Sequence, residues 1–317
     1  MNNEDKNLLQ NNMTELGSLM QGMRAAYARG ENAMEYARQT THSLGNTPEA
    51  TLIAYDLQAG TYIAGARANP EANARWCSQL AALLNPFVSR QSSILEVGCG
   101  EATTLAGVVS YLSHKPKHAL GFDISWSRCA HGIKWLEEKS VAAELFVGDL
   151  FEIPLADASV DVVYTSHSLE PNGGREEAAI KELLRVARYA VVLIEPLYEL
   201  ASADAQARMQ SHGYVRGLKE TAEKLGTSVS KYRLLEYCGN PLNPSGVVLI
   251  EKSITKSLGD IDLQWRCPLT HSRLLANSAA YYSPETGVVY PVLAGIPLLR
   301  SNHAIVASAF SGTHSNI

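Results

Sequence analysis

The chain has 317 residues, 46% of them hydrophobic, and 27 Lys and Arg stand against 32 Asp and Glu for a formal charge of −5. That length and apolar content suit a globular protein with room for more than one domain, and the acidic balance argues against nucleic acid, which is normally met by a basic face that releases counterions. Five scattered cysteines, an odd number with no C-x-x-C pair, point to reduced thiols and a cytoplasmic setting, and the polar start Met1–Asn7 and short apolar runs are read as neither secretory leader nor membrane span.

From the N-terminus, residues 1–44 are rich in Met, Leu, Ala, Gln and Glu, with Leu9, Met13, Leu16, Met20 and Met23 three or four apart, which predicts helix with an apolar stripe. The stripe is read as a packing surface, against this chain or a second copy in a homodimer. Gly45 and Pro48 break the pattern. Residues 51–65 then concentrate Tyr55, Asp56, Gln58, Gly60 and Tyr62, all able to hydrogen-bond, stack or turn, just before a helix over 70–85.

The most informative stretch is Ser92-Ser-Ile-Leu-Glu-Val-Gly-Cys-Gly-Glu101. Ile94, Leu95 and Val97 read as a short strand, Gly98 and Gly100 let the backbone turn sharply against a ligand, and Leu105–Tyr111 continues as helix. Thr103 stands where a dinucleotide-binding turn wants its third glycine, and Glu96 and Glu101 put carboxylates around the turn, so a cationic ligand suits it better than a pyrophosphate. Cys99 is read as a small residue filling the turn, since no basic neighbour activates it. Asp123 closes a second strand, where a carboxylate can accept from both hydroxyls of a ribose. Further on, Phe146-Val-Gly-Asp-Leu-Phe-Glu-Ile-Pro154 sets Asp149 and Leu150 after a third strand, and a fourth opens at Asp161. Singly, Asp123 is explained by a helix cap and Asp149 by a turn; their joint order is not.

These motifs, over roughly residues 76–253, resemble the class I S-adenosylmethionine (SAM)-dependent methyltransferases, whose first motif reads acid-x-Gly-x-Gly and whose second strand ends in an acid. The resemblance implies an α/β fold with a Rossmann-like seven-stranded sheet: an N-terminal helical cap over 1–75, the methyltransferase domain over 76–255 and a small C-terminal α+β module over 260–317. It implies SAM as cofactor, held by Glu96, Gly98, Gly100, Asp123, Ile124, Asp149 and Leu150, with Asp149 at the adenine amino group and the Leu150 N–H at the ring. In many such enzymes a segment placed like that of Tyr55 and Tyr62 folds over the cofactor as a lid and excludes water from the sulfonium. A capped helix–loop–helix with two core tyrosines explains the same residues equally well.

Beyond the fourth strand, the pattern predicts a helix over 176–188, a strand over 189–195, helix over 203–225 and a final strand pair over 232–237 and 246–252, joined by the loop 238–244. The loop after the fourth strand, residues 165–174, falls at the carboxyl edge of the sheet, where an α/β fold places its ligand-facing groups. There His167 is the candidate general base, its near-neutral pKa suited to taking a proton from a hydroxyl or ammonium, and Glu170 is a candidate to orient a polar substrate together with Asn172. Arg175 could hold an anionic substrate; Glu195 and Tyr198 rank second. A histidine that merely bonds a neighbouring loop is the bland alternative for His167. The Asn/Asp-Pro-Pro-Tyr/Phe motif of many amino-group methylases of nucleic acids and protein glutamine is lacking, which disfavours a base or amide nitrogen as acceptor.

Near the C-terminus, Cys267, Pro268, Tyr290, Pro291, Gly295, Ile296, Pro297 and Leu299 resemble the pattern of the small Trm112-like modules. The second opening cysteine is absent and only Cys267 and His271 remain as candidate ligands, too few for a structural zinc site, so a metal-free module is expected. The reading is therefore a SAM-dependent methyltransferase acting at oxygen or nitrogen of a small polar metabolite, with no membrane partner. Its rivals are an RNA or protein methyltransferase that recognises substrate through the C-terminal module, and a non-catalytic SAM-binding subunit.

Overall fold

A computed structural model describes residues 3–42, 47–252 and 263–310, with side chains from Thr14 onward save Pro48. The chain divides into two compact units, residues 1–61 and 62–317. The first is helical: α1 (Asn3–Ala28), α2 (Ala33–Thr41) and α3 (Pro48–Leu57). Asn32 caps α2 by accepting the Met34 and Glu35 N–H groups, and Thr47 caps α3, with Pro48 at its first position. Of the expected methionine stripe, Met23 is fully buried with Leu16 and Leu19 packed against its cluster, whereas Met20 is half exposed; Leu9 and Met13 lie outside the described side chains.

The second unit opens with α4 (Thr61–Ala68) and α5 (Pro70–Leu84) and then alternates strands with helices. In chain order these are β1 (Ser93–Val97), α6 (Thr103–Tyr111), β2 (His118–Asp123), α7 (Trp126–Glu138), β3 (Glu144–Val147), β4 (Val160–Ser166), α8 (Glu176–Val186), β5 (Ala187–Pro196), α9 (Ala203–Ser211), α10 (Leu218–Lys224), β6 (Ser228–Leu234) and β7 (Ser245–Glu251). The sheet runs β3-β2-β1-β4-β5-β7-β6, parallel except that β7 pairs antiparallel with both β5 and β6. Both faces are covered, so the central strands are apolar at nearly every position. Ile94, Val162 and Tyr164 join one core together with α5, α6 and α7, and Leu95, Val97 and Val163 join the other with α8. The expected helix over 203–225 is broken between α9 and α10, where Gly213 and Gly217 both take positive φ. β6 also starts four residues earlier than the sequence suggests, because its register with β7 pairs Ser228 with Glu251.

The C-terminal module consists of β8 (Trp265–Arg266), β9 (Arg273–Ala276), β10 (Ala280–Tyr282), β11 (Val288–Leu293), β12 (Ile296–Pro297) and β13 (Ile305–Val306), all paired antiparallel. The expectation of an α+β module is thus corrected: its described residues hold no α-helix. Turn residues such as Gly287 and Gly295, both at positive φ, return the chain before a helical turn can propagate. The module docks on the edge of the main sheet. The Leu299 N–H donates to the Val147 carbonyl at 2.8 Å, the Trp265 ring meets Phe146 edge-on at 5.2 Å, and Arg266 bonds Asp157 at 2.7 Å. Cys267 is fully buried, with its sulfur 3.2 Å from the Tyr290 hydroxyl and accepting the Thr270 N–H.

Candidate active site

β1 ends in a turn that only small residues can make. Gly98 has φ +67°, and a Cβ there would lie 2.4 Å from the Ser168 Cβ; Gly100 has φ +54°, and a Cβ there would press on the Tyr62 ring at 3.3 Å. The Cys99 N–H bonds the Phe122 carbonyl at 2.8 Å, tying the turn to the end of β2. There Asp123 accepts from the Gly100 N–H at 3.0 Å and from the Ser125 N–H at 2.9 Å, one bond to each carboxylate oxygen. Burial raises its pKa, opposed by the Ser125 N–H and the Arg128 charge. A carboxylate has about four acceptor sites, which leaves room for a ribose hydroxyl beside these backbone donors. The glycine cradle and this carboxylate therefore fit SAM, whose sulfonium supplies the methyl group when it is bound. Ile124 follows, half-buried.

The other expected cofactor residues divide by surroundings. Tyr62 reaches the turn: its ring lies against Gly100 with the Arg128 guanidinium 4.6 Å from its centroid, and it is half exposed. Asp149 accepts the Phe151 N–H at 2.9 Å in a local turn, and its other oxygen faces Arg300 at 4.0 Å. Leu150 packs half-buried on the core. Tyr55 lies on α3 of the N-terminal unit, half-buried. Glu96 faces inward, because the β1–β4 register sets it opposite Tyr164, whose hydroxyl donates to it at 3.0 Å. Burial pushes its carboxyl up to about 8, so it is largely neutral at pH 7. Glu101, also fully buried, accepts the Tyr62 and Ile63 N–H groups at 3.3 and 2.8 Å and so caps α4. Neither acid of the turn is held open toward a ligand, as its spacing had suggested.

At the carboxyl edge, residues 167–170 form a tight loop. His167 occupies the left-handed region at φ +60°, uncommon outside glycine, which is consistent with a functional constraint. Its Nδ1 lies 2.7 Å from Glu170 Oε2 and its Nε2 2.7 Å from Ser245 Oγ, with the Trp76 ring edge-on at 5.5 Å. Burial disfavours the imidazolium, but Glu170, through its hydrogen bond and charge, outweighs that with help from Glu195 and Cys238 and raises the pKa above the ordinary value. Glu195, fully buried at the end of β5, accepts the N–H groups of Ser168, Leu169 and Glu170, each at 3.1 Å. Burial pushes it up to about 7, against the stabilising charge of His167. Since Ser168 packs on Gly98, the loop carrying His167 abuts the cofactor turn.

The structure pairs Glu170 with His167, a contact the sequence did not specify, and gives the other candidates different partners. Asn172 donates to the Ser168 and Leu169 carbonyls, stapling the loop, and Arg175 lies over the Phe151 ring at 3.3 Å. Ser245 and Asn243 were missed. Asn243 donates to Glu170 Oε2 at 3.2 Å. The only signal in sequence was a polar loop before the last strand, without indication of which partner it would meet.

Residues 94–189 match the family described as a methyltransferase domain. The chain thus carries a SAM-dependent methyltransferase domain and is an enzyme of that class. Among solved structures, it is similar to magnesium protoporphyrin IX methyltransferase from Synechocystis, at 13% identity over 57% of this chain and 84% of that one, with a TM-score of 0.46. A chain from the complex of the Haloferax volcanii Trm112 methyltransferase activator with a putative methyltransferase aligns at 13% identity over 62% of this chain and 96% of that one, TM-score 0.48. A putative sarcosine dimethylglycine methyltransferase from Galdieria sulphuraria aligns at 14% identity, 57% and 85% coverage, TM-score 0.44. No curated protein matches the chain. Among the described residues, no helix is long and apolar enough to cross a membrane, and no group of three or more His, Cys, Asp or Glu could hold a metal ion.

Proposed function

We propose that the protein transfers the SAM methyl group to an oxygen or nitrogen of a small polar metabolite such as a sugar or biosynthetic intermediate, in the cytoplasm. The observation that carries this reading is the Glu170–His167 pair, held on a loop that abuts the Gly98 turn. Methyl transfer is an in-line displacement, and holding the nucleophile against the methyl carbon can supply about 7–11 kcal/mol of the barrier. His167 takes the proton of the attacking hydroxyl or ammonium, Glu170 orients the ring, and Glu195 fixes the loop through its three N–H bonds. Asp123 receives the ribose hydroxyls, Asp149 and Leu150 the adenine, and Tyr62 covers the glycine turn; Tyr55 belongs to the segment read as a lid. The formal charge of −5 supports a small acceptor over a polyanion.

A second reading, methylation of RNA or a protein, draws support from the C-terminal module, read as Trm112-like, which exposes Leu269, Leu293, Ile305 and Val306. Incubation with methyl-labelled SAM and a cytosolic extract, followed by separation of small molecules, RNA and protein, distinguishes the two. Label among small molecules supports the first reading; label confined to RNA or protein overturns it.

A further inference from the structure

We propose that Ser245 is a positioning residue that completes a Glu170–His167–Ser245 hydrogen-bond relay, in which neutral His167 carries its proton on Nδ1 and accepts a hydrogen bond from the Ser245 hydroxyl at Nε2. The inference deepens the reading of His167 as the base and rests on it. Glu170 Oε2 lies 2.7 Å from Nδ1, and a carboxylate only accepts, so Nδ1 bears hydrogen in both the neutral and charged ring. Nε2 is then the basic nitrogen, and it faces the Ser245 oxygen at 2.7 Å. A hydroxyl serves both states: it donates to the bare nitrogen and accepts from the imidazolium N–H.

The surroundings fix this geometry from a second side. Asn243 holds the same Glu170 oxygen at 3.2 Å, and Ser245 is fixed by its place at the start of β7, where it pairs with Pro196. Ser245 is 2% exposed, so it does not itself receive substrate; it holds the imidazole in place, and an acceptor's proton reaches Nε2 once that hydroxyl rotates aside. The titratable groups facing the imidazole are Glu170 from its own loop, Glu195 from β5 and Cys238 from the loop before β7, with the Trp76 ring contributed by α5.

Nitrogen-15 NMR of the imidazole-labelled full chain tests the relay, the His167 signals being assigned by their loss in His167→Asn. At high pH the wild-type ring should show Nδ1 protonated and Nε2 bare, the less common tautomer for a free histidine. Ser245→Ala should lower the titration midpoint, because the imidazolium N–H loses its buried partner, and Ser245→Thr should restore it. A neutral ring with its proton on Nε2 overturns the proposal, and that wild-type result needs no variant to fold. An unchanged midpoint in a Ser245→Ala protein that still binds SAM by calorimetry overturns it too. Failure of the base reading is separate: His167→Ala at wild-type turnover would remove the base and leave the tautomer standing.

Discussion

Replacing Asp123 by alanine removes the one carboxylate at the end of β2 that faces the glycine turn. A hydrogen bond to a charged group contributes about 1.5–3 kcal/mol, and two ribose hydroxyls would lose their acceptor. Because burial already disfavours the charged carboxylate, the lower end of that range applies, roughly 3 kcal/mol in all. At about 1.4 kcal/mol per factor of ten, SAM affinity should fall about 10²-fold. The Gly100 and Ser125 N–H groups lose their acceptor as well, so part of the loss arrives through a loosened turn. Asp123→Asn retains one acceptor oxygen and should lose closer to tenfold, a single hydrogen bond's share. Titration calorimetry with SAM, on variants whose circular dichroism matches wild type, reads both. A SAM affinity within threefold of wild type in Asp123→Ala would refute the ribose assignment.

Further outcomes follow from neighbouring residues. His167→Ala should leave SAM affinity unchanged and slow turnover about 10²–10⁴-fold at neutral pH, the usual contribution of a general base; once an acceptor is in hand, steady-state rates decide it. Gly98→Ala combines a positive φ with a Cβ on top of Ser168 and should abolish measurable SAM binding while displacing the His167 loop, checked by calorimetry and by the His167 NMR signal. Glu96 has its folded pKa raised to about 8, so its contribution to stability is full below the unfolded value near 4.5 and is lost as pH rises through 8. Glu96→Gln, which keeps an acceptor for the Tyr164 hydroxyl, should therefore be more stable than wild type at pH 9 and lose much of the decline between pH 6 and 9; urea unfolding at both pH values tests it, and parallel pH dependences would refute the burial argument.

The glycine turn was legible because its signals are local. A strand of Ile94, Leu95 and Val97 leading into Gly98 and Gly100 is a short-range statement about backbone conformation, and both glycines do take positive φ. Asp123 was readable for the same reason, since strand end and helix start flank it directly. Glu96 and Glu101 were misjudged as ligand-facing because a carboxylate's partner is not a local property. The partner of Glu96 is Tyr164, and that of Glu101 is the first turn of α4.

The sequence by itself determined most of the strands and helices of the domain and the glycine turn after its first strand, because periodicity and glycine placement act over a few residues. The surroundings of His167 were decided only by tertiary structure. Ser245 meets it from the far end of the domain, Glu195 secures its loop from the neighbouring strand, and Trp76 leans on it from α5. Those meetings depend on strand register and on which face each helix covers, and a shift of one residue in register would have turned Ser245 or Glu195 to the opposite face of the sheet.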